Sequence, residues 1–124
     1  MPILDIERVL PDGADASPPG LAQSLADAAG RVFGSAPGRT WVRLRALPAA
    51  AYAENDAAAL PNDALPVFVT VLHARVPEGP ALASQVSALT HAIAVVLGCD
   101  AQRVHVQIAP AGAGRQAFGG RLVS

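Results

Sequence analysis

The sequence predicts an α+β fold in which two fused β-α-β units form a four-stranded mixed sheet with two helices on one face. Three observations predict it. The chain has 124 residues, enough for a single domain with its own core. It matches itself without a gap when Pro2 is placed over Pro66, an offset of 64 residues. Each copy then shows the apolar pattern of a strand, a helix and a second strand.

The first unit is predicted to span residues 2–47. Ile3–Leu10 is short and rich in bulky apolar residues, as strands require. Leu21–Phe33 has apolar residues at helical spacing, and Thr40–Leu47 alternates as a strand does. A strand-helix-strand unit within one sheet crosses over right-handedly, so its two strands are expected to be parallel.

The ends of the first helix carry recognisable signals. Ser17 is a predicted N-cap, Pro18 and Pro19 are predicted in the first turn, and Gly34 is a predicted C-cap.

The second unit is predicted to span residues 66–110. Val67–Ala74 and Arg103–Ala109 are its predicted strands. Between them an apolar stripe predicts a helix that has Pro80 near its start and ends at Gly98.

Two further segments complete the single predicted domain. The connector 48–66 is rich in Ala, Asn, Asp and Pro and is predicted to run over the surface. The tail, residues 111–124, is punctuated by glycines and is predicted to form a hairpin packed on a neighbouring subunit.

One face of the predicted sheet has no helix to cover it. Because side chains alternate along a strand, two polar or aromatic sets should point away from the helices. These sets are Trp41, Arg43 and Arg45 on one strand, and His105 and Gln107 on the matching strand. Covering this face in a small protein favours association with further copies of the chain.

The composition excludes several classes of function. The net charge is -1 and the pI about 6.2, so no global basic field favours nucleic acid or an anionic membrane. All nine cationic residues are Arg, which excludes Schiff-base lysines and suits bidentate binding of carboxylates. No spacing of His, Cys and carboxylates indicates a metal site.

The cellular setting is predicted from weaker signals. Cys99 is the single cysteine, so it has no partner for a disulfide within the chain, and a reducing compartment is expected. No run of about 18 apolar residues and no signal peptide is recognised, so the expected location is the cytoplasm. The alanine-rich, lysine-free composition is typical of a GC-rich bacterial genome.

The layout resembles the tautomerase superfamily, specifically its members in which two β-α-β units are fused. Three features carry the resemblance: Met1-Pro2 opening directly into a strand, a second unit starting at Pro66, and a closing run from 103 to 106 through Phe118-Gly119-Gly120. That run is similar to the strand arginine and aromatic-glycine-glycine hairpin of 4-oxalocrotonate tautomerase. The resemblance implies a homotrimer.

The resemblance also implies a cofactor-independent tautomerase or isomerase acting on a small 2-oxo or enol carboxylic acid. Pro2, freed by removal of Met1, would be the catalytic base, because an N-terminal proline is a secondary amine. Pro66 is a tertiary amide in every form of the chain, so one active site per chain is expected.

Family arginines bind the substrate carboxylate and stabilise the enolate, and several residues are candidates for that role. Arg75 lies close to where members carry an arginine after the third strand. The strand arginine of 4-oxalocrotonate tautomerase falls on His105 in the second unit and on Trp41 in the first. Arg43 and Arg45, on the same face as Trp41, are candidates to replace it.

Four further side chains are candidate substrate contacts. His105 and Gln107 fall where the macrophage migration inhibitory factor branch carries a pocket-lining tyrosine and asparagine. Tyr52 and Phe118 are expected to line the pocket, with Tyr52 also a possible proton donor. Each is equally compatible with a structural role in a core or interface.

Two alternatives remain open at this stage. The first is a dehalogenase or decarboxylase of the same superfamily, whose branches carry paired arginines after the third strand, whereas here Arg75 stands alone. The second is a non-catalytic trimeric binding protein, which the missing strand arginine favours.

Overall fold

A computed structural model describes residues 2–14 and 18–124 of the chain. Its larger elements follow one another as two strand-helix-strand units and a terminal hairpin. In chain order they are β1 (Ile3–Leu10), α1 (Leu21–Phe33), β2 (Trp41–Pro48), β3 (Val67–Leu72), α2 (Gly79–Leu97), β4 (Val104–Ile108), β5 (Ala117–Phe118) and β6 (Arg121–Leu122).

The four long strands form one mixed sheet with the order β2-β1-β3-β4. β1 pairs with β2 in parallel, β3 pairs with β4 in parallel, and the two units meet where β1 and β3 pair antiparallel. Both helices pack on one face of this sheet and against each other. The predicted fold class is confirmed.

The core lies between the helices and one face of the sheet. Its members are apolar residues that alternate along the strands and recur at helical spacing on α1 and α2. The buried set includes Leu4, Ile6, Leu25, Ala29, Val67, Val69, Val71, Leu89, Ile93, Ala94 and Val104. Burying these side chains is the main favourable contribution to folding, because about 25 cal/mol is gained per Å² of apolar surface removed from water.

The opposite face of the sheet is here called the open face. It carries the side chains that alternate along the strands with those facing the helices. Trp41, Arg43 and Arg45 on β2 are exposed, as are His105 and Gln107 on β4. The predicted alternation is therefore confirmed on both strands. In the single chain no helix packs on this face among the described residues.

Helix α1 begins later than the capping signals predicted. Gly20 is its N-cap residue, with φ 84°, and Pro18 and Pro19 lie before the helix instead of in its first turn. A left-handed Gly20 turns the chain into the helix, so the prolines are not needed at the helical positions. The predicted N-cap Ser17 lies outside the described residues. Gly34 is the C-cap, as predicted, with φ 63°.

Helix α2 is longer than the apolar stripe that predicted it, with Pro80 in its first turn and Gly98, at φ 65°, as its C-cap. It is also long and apolar enough, by length and composition, to cross a membrane. It is not a run of 18 consecutive apolar residues, because polar residues such as Gln85 and His91 interrupt it. Leu89 and Ile93 of this helix are packed in the core, as in the core helix of a globular domain.

The internal repeat contains a one-residue shift that the gapless alignment missed. Leu4 is fully buried, whereas Phe68, its counterpart at an offset of 64, is 36% exposed. Leu4 pairs with Val42, and Val69 pairs with Val106, so Leu4 corresponds structurally to Val69. A shift of one residue exchanges the faces of a strand, so the apolar side chains dictate the true register. Pro66 is consequently not the structural counterpart of Pro2.

The strand ends and the tail differ from expectation in detail. β3 ends at Leu72 instead of Ala74, and β2 and β4 each begin one residue later than predicted. The connector is largely exposed, as predicted. The tail forms the hairpin of β5 and β6, and Phe118 of this hairpin packs on Trp41 of the same chain. The predicted packing of the hairpin on a neighbouring subunit stays a prediction.

Candidate active site

Pro2 is buried at the point where the first strand begins. Its carbonyl oxygen accepts a hydrogen bond from the backbone N–H of Trp41, with a nitrogen-to-oxygen distance of 3.0 Å. This bond continues the parallel pairing of β1 with β2, in which Ile3 lies beside Trp41. The position of Pro2 is thus fixed by the sheet itself.

A pocket of about 110 Å³ opens beside Pro2. Pro2 and Ile3 line it from β1, Trp41 lines it from β2, and Phe118 lines it from the hairpin. Arg39, two residues before Trp41, is the charged side chain that lines the pocket. The volume lies below the roughly 300–1,000 Å³ of pockets that take drug-sized ligands, so the pocket suits a molecule of a few carbons.

Trp41 connects the parts of this pocket. Its indole Nε1–H donates to the carbonyl oxygen of Gly38 at 2.9 Å, and its ring meets Phe118 edge to face with the centroids 4.9 Å apart. This geometry is favourable for an aromatic pair and contributes about 0.5–1.5 kcal/mol beyond burial. Trp41 therefore holds both the turn that precedes β2 and the hairpin that closes the tail.

Arg39 follows a tight turn that sets its direction. Its backbone N–H donates to the carbonyl oxygen of Ala36 at 3.1 Å, and Gly38, which follows Pro37, has φ 75°. Proline followed by a left-handed glycine is the signature of a type II turn. Arg39 is exposed, and no carboxylate in residues 2–14 and 18–124 forms an ion pair with it.

Next to the pocket on the open face, Arg43 of β2 forms an ion pair with Asp5 of β1. The guanidinium of Arg43 donates to both oxygens of Asp5, Nε to Oδ1 at 2.6 Å and Nη2 to Oδ2 at 2.9 Å. The hydrogen bond and then the charge of Asp5 raise the pKa of Arg43. Nη2 of Arg45 lies 3.9 Å from Oδ1 of the same carboxylate. Both predicted substrate-binding arginines of β2 are thus turned toward Asp5 and do not line the Pro2 pocket.

A second aromatic cluster occupies the far end of the open face. Phe68 lies between Tyr52 and His105, with ring centroids 5.9 Å and 5.6 Å away. Phe68 pairs with Glu7, which lies four residues after Ile3 on β1. Because a strand rises about 3.3 Å per residue, the cluster is about 13 Å along β1 from Ile3 and the Pro2 pocket. Tyr52 and His105 therefore do not reach the Pro2 pocket of their own chain.

The phenol of Tyr52 has a partner of its own. It donates to Oε2 of Glu54 at 2.7 Å, and this hydrogen bond is the largest cause that raises the pKa of Tyr52, followed by burial. Gln107 lies between the two ends of the open face, on β4 beside Thr70.

Arg75 holds the tail. Its Nη2 donates to a main-chain oxygen of Ser124 at 2.9 Å. The tail is also bonded to the chain after β3, because the N–H of Gly112 donates to the carbonyl of His73 at 2.8 Å. Arg75 therefore helps to position the segment that carries Phe118, and it does not line the Pro2 pocket.

Other surface features lack comparable chemistry. A wider groove of about 710 Å³ runs between α1 and the loop to β2, where small and polar residues such as Gly30, Ser35 and Thr40 line it. In the part of the chain that the structure describes, no group of three or more His, Cys, Asp or Glu side chains is placed to bind a metal ion.

Comparison with solved structures identifies the architecture. A fused 4-OT described as a symmetric trimer is 18% identical to this chain and superposes with a TM-score of 0.71, covering 98% of this chain and 94% of its own. A macrophage migration inhibitory factor from Oncomelania hupensis has 15% identity and a TM-score of 0.71, with 100% and 83% covered. The chain has the tautomerase superfamily fold.

A third tautomerase-fold structure is an FG41 malonate semialdehyde decarboxylase inhibited by 3-bromopropiolate. It is 18% identical, with a TM-score of 0.62 and coverage of 94% of this chain and 90% of its own. No protein-family model and no curated protein sequence matches the chain. At these identities the likeness establishes the tautomerase fold, and it leaves the reaction to be argued from the residues.

Within the tautomerase fold, the structure brings together two of the predicted site residues, Pro2 and Phe118. The others lie elsewhere in the same chain, and their roles stay predictions: Arg43, Arg45, Arg75, His105, Gln107 and Tyr52. Sequence reasoning missed Arg39 and treated Trp41 as a departure. Arg39 lies in the turn before β2, so the alternation of side chains along the strand gave it no direction.

His73 is a titratable group beside the start of β1. Ile3 pairs with Leu72 in the antiparallel register, so Pro2 lies opposite His73. The ring of His73 is tilted against Phe33 with centroids 5.5 Å apart, and Nδ1 accepts the backbone N–H of Arg75 at 3.3 Å. Burial lowers the pKa of His73 below its ordinary 6.5.

This lowered pKa predicts a loss of stability in acid. Below about pH 6.5 the unfolded chain binds a proton at His73 that the folded chain does not, so the free energy of unfolding falls as the pH falls toward the folded pKa. Urea unfolding at pH 7.5, 6.5 and 5.5 should show a weaker pH dependence for His73→Gln than for the wild type. His91→Gln, on the exposed side of α2, is the control, and equal slopes for wild type and His73→Gln would contradict the prediction.

Proposed function

We propose that the protein is a cofactor-independent tautomerase or isomerase that uses Pro2 as a general base on a small 2-oxo or enol carboxylic acid. The observation that carries the proposal is the pocket at Pro2, in which a potential amine base lies with one arginine and two aromatic rings. This set offers a proton acceptor, an anion-binding group and an apolar wall in one small volume.

The chemistry depends on the nitrogen of Pro2. When Met1 is removed, this nitrogen becomes a secondary amine with a lone pair. An ordinary α-amino group has a pKa of about 7.7–8.0. Burial and a nearby guanidinium both favour the neutral form, which lowers the pKa of the amine and supplies a free base near neutral pH.

The proposed reaction moves one proton and leaves the atom count unchanged. The neutral amine of Pro2 removes a proton from the carbon next to the substrate carbonyl, and the electron pair of that C–H bond forms the enolate. The cationic guanidinium of an arginine stabilises the negative charge that develops on the enolate oxygen. The proton then returns from Pro2 to oxygen or to another carbon, which gives the tautomer or isomer.

Comparison of two N-terminal forms tests the proposal. Intact mass identifies the form that begins at Pro2, and a second preparation carries one extra residue ahead of Pro2. The free form should convert phenylpyruvate-like enol acids faster than the extended form by about 10²–10⁴-fold, the usual contribution of a general base. Equal rates for the two forms would contradict the use of Pro2 as a base.

We further propose a homotrimer. One support is the open face, on which the large apolar side chains of Trp41 and Phe68 are exposed in the single chain. The other is the similarity of the fold to fused 4-OT structures that are trimers. His105 lies on the open face, far from the Pro2 pocket of its own chain. In the proposed assembly His105 and Gln107 reach a Pro2 pocket from another subunit.

The dehalogenase or decarboxylase alternative has less support from the residues. Arg75 is the one arginine directly after β3, where those branches carry a pair, and its guanidinium donates to Ser124. A non-catalytic binding protein would keep the pocket without turnover. Halide release from a halogenated acid, or carbon dioxide release from a β-keto acid, would identify the first alternative. Carboxylate binding without any turnover by the form that begins at Pro2 would identify the second.

A further inference from the structure

Arg39 is the cationic side chain that the structure places at the Pro2 pocket. The other candidate arginines have different partners. Arg43 and Arg45 are turned toward Asp5, and Arg75 donates to the tail. Among the described residues no carboxylate neutralises Arg39, so its guanidinium is available to an anion.

The rest of the pocket wall beside Arg39 is apolar. Trp41, Phe118 and Ile3 present aromatic and aliphatic surface. The indole N–H of Trp41 is already donated to Gly38, so this ring offers its hydrocarbon surface to a ligand. One guanidinium group and three apolar side chains suit a small amphipathic anion whose charge is confined to one end.

Three hydrogen bonds hold Arg39 relative to Pro2. The turn before β2 is closed by the Arg39 N–H, and the indole of Trp41 binds the carbonyl of Gly38 within that turn. The backbone N–H of the same Trp41 binds the carbonyl of Pro2. A single residue therefore fixes both the base and the turn that carries the guanidinium.

We propose that Arg39 is the carboxylate-binding residue of this pocket and that Trp41 and Phe118 receive the unsaturated carbons of a small monocarboxylate. This inference deepens the proposed function, because the carboxylate on Arg39 would hold the substrate's carbon chain beside the Pro2 nitrogen. The binding step itself needs no turnover, so it can be tested separately from the chemistry.

The binding test uses crotonate, a four-carbon unsaturated carboxylate, and crotonamide, its neutral counterpart of the same shape. Ligand-observed NMR titrations of the form that begins at Pro2 give the dissociation constants of both ligands. Crotonate should bind about tenfold or more tightly than crotonamide, because hydrogen bonds to a charged group are stronger than those between neutral groups. Arg39→Gln should abolish the difference, and Arg39→Lys should retain part of it.

Matched controls separate this inference from the proposed function. Arg31→Ala removes an exposed arginine that does not line the pocket and should leave crotonate binding unchanged. A Pro2→Ala chain loses part of the pocket wall but should still bind crotonate more tightly than crotonamide, even when turnover is lost. If Arg39→Gln binds crotonate as tightly as the wild type, the assignment of Arg39 is wrong, whatever the result for Pro2.

Turnover provides a second readout. With an enol acid as substrate, Arg39→Ala should raise KM by about tenfold or more through loss of the charged contact. A loss confined to kcat, with KM unchanged, would overturn a role in carboxylate binding. Circular dichroism should show an intact fold, because the Arg39 side chain is exposed.

Discussion

Replacing Pro2 by Ala should reduce enol-acid turnover, by at most the roughly 10²–10⁴-fold contribution of a general base, while the protein remains folded. The substitution replaces the ring amine by a primary amine and removes part of the wall of the pocket. Its backbone carbonyl, which accepts the N–H of Trp41, is retained, so the pairing of β1 with β2 should survive. Steady-state rates with phenylpyruvate-like substrates, together with the thermal midpoint, measure the two effects separately.

Pro66→Ala provides the matched control. Pro66 is also buried and also lies just before a strand, and its carbonyl accepts the N–H of Val9 at 3.0 Å. Its nitrogen is an amide, so it has no basic lone pair to lose. Turnover should persist in folded Pro66→Ala, and full activity in Pro2→Ala would exclude the proposed mechanism.

Mixing two impaired variants should restore turnover if active sites are shared between chains. A Pro2→Ala chain retains His105, and a His105→Ala chain retains Pro2. Random assembly of equal amounts would place an intact Pro2 beside an intact His105 in about a quarter of the sites. Co-refolded mixtures should therefore approach a quarter of the wild-type rate, although each variant alone is impaired.

Mixing Pro2→Ala with Arg39→Ala is the corresponding negative control. Pro2 and Arg39 line one pocket of the same chain, so no site in the mixture would have both residues intact. Rescue by this pair would show that Arg39 acts from another subunit. Absence of rescue with the His105 variant, or full activity of His105→Ala alone, would remove His105 from the site.

Local patterns were sufficient to predict most of the fold. The bounds of β1 and the end of α1 at Gly34 match the prediction, because apolar periodicity and this glycine mark them directly. The repeat offset failed in the first strand, where Leu4 corresponds to Val69. Sequence identity at the two prolines favoured the gapless match, whereas the alternation of buried side chains imposes the shift.

The site was harder to predict because its parts are separated in sequence. Pro2 follows from the chemistry of a chain terminus, and Phe118 was suggested by the resemblance of the hairpin. Arg39 was missed because the predicted strand began at Thr40, which left Arg39 in a loop with no assigned direction. The bond from the Trp41 indole to Gly38 that fixes this loop is a local side-chain contact, and apolar periodicity does not mark it. Tyr52 lies in a connector without periodicity, so its place near Phe68 had no sequence signal.

The position of Trp41 gives the pocket an internal optical probe. It is the single tryptophan of the chain and is 49% exposed, so indole emission from the protein comes from this one wall. A ligand that displaces water from the ring would change the wavelength and intensity of that emission. Intrinsic fluorescence can therefore follow occupancy in real time, without a dye and without substrate conversion.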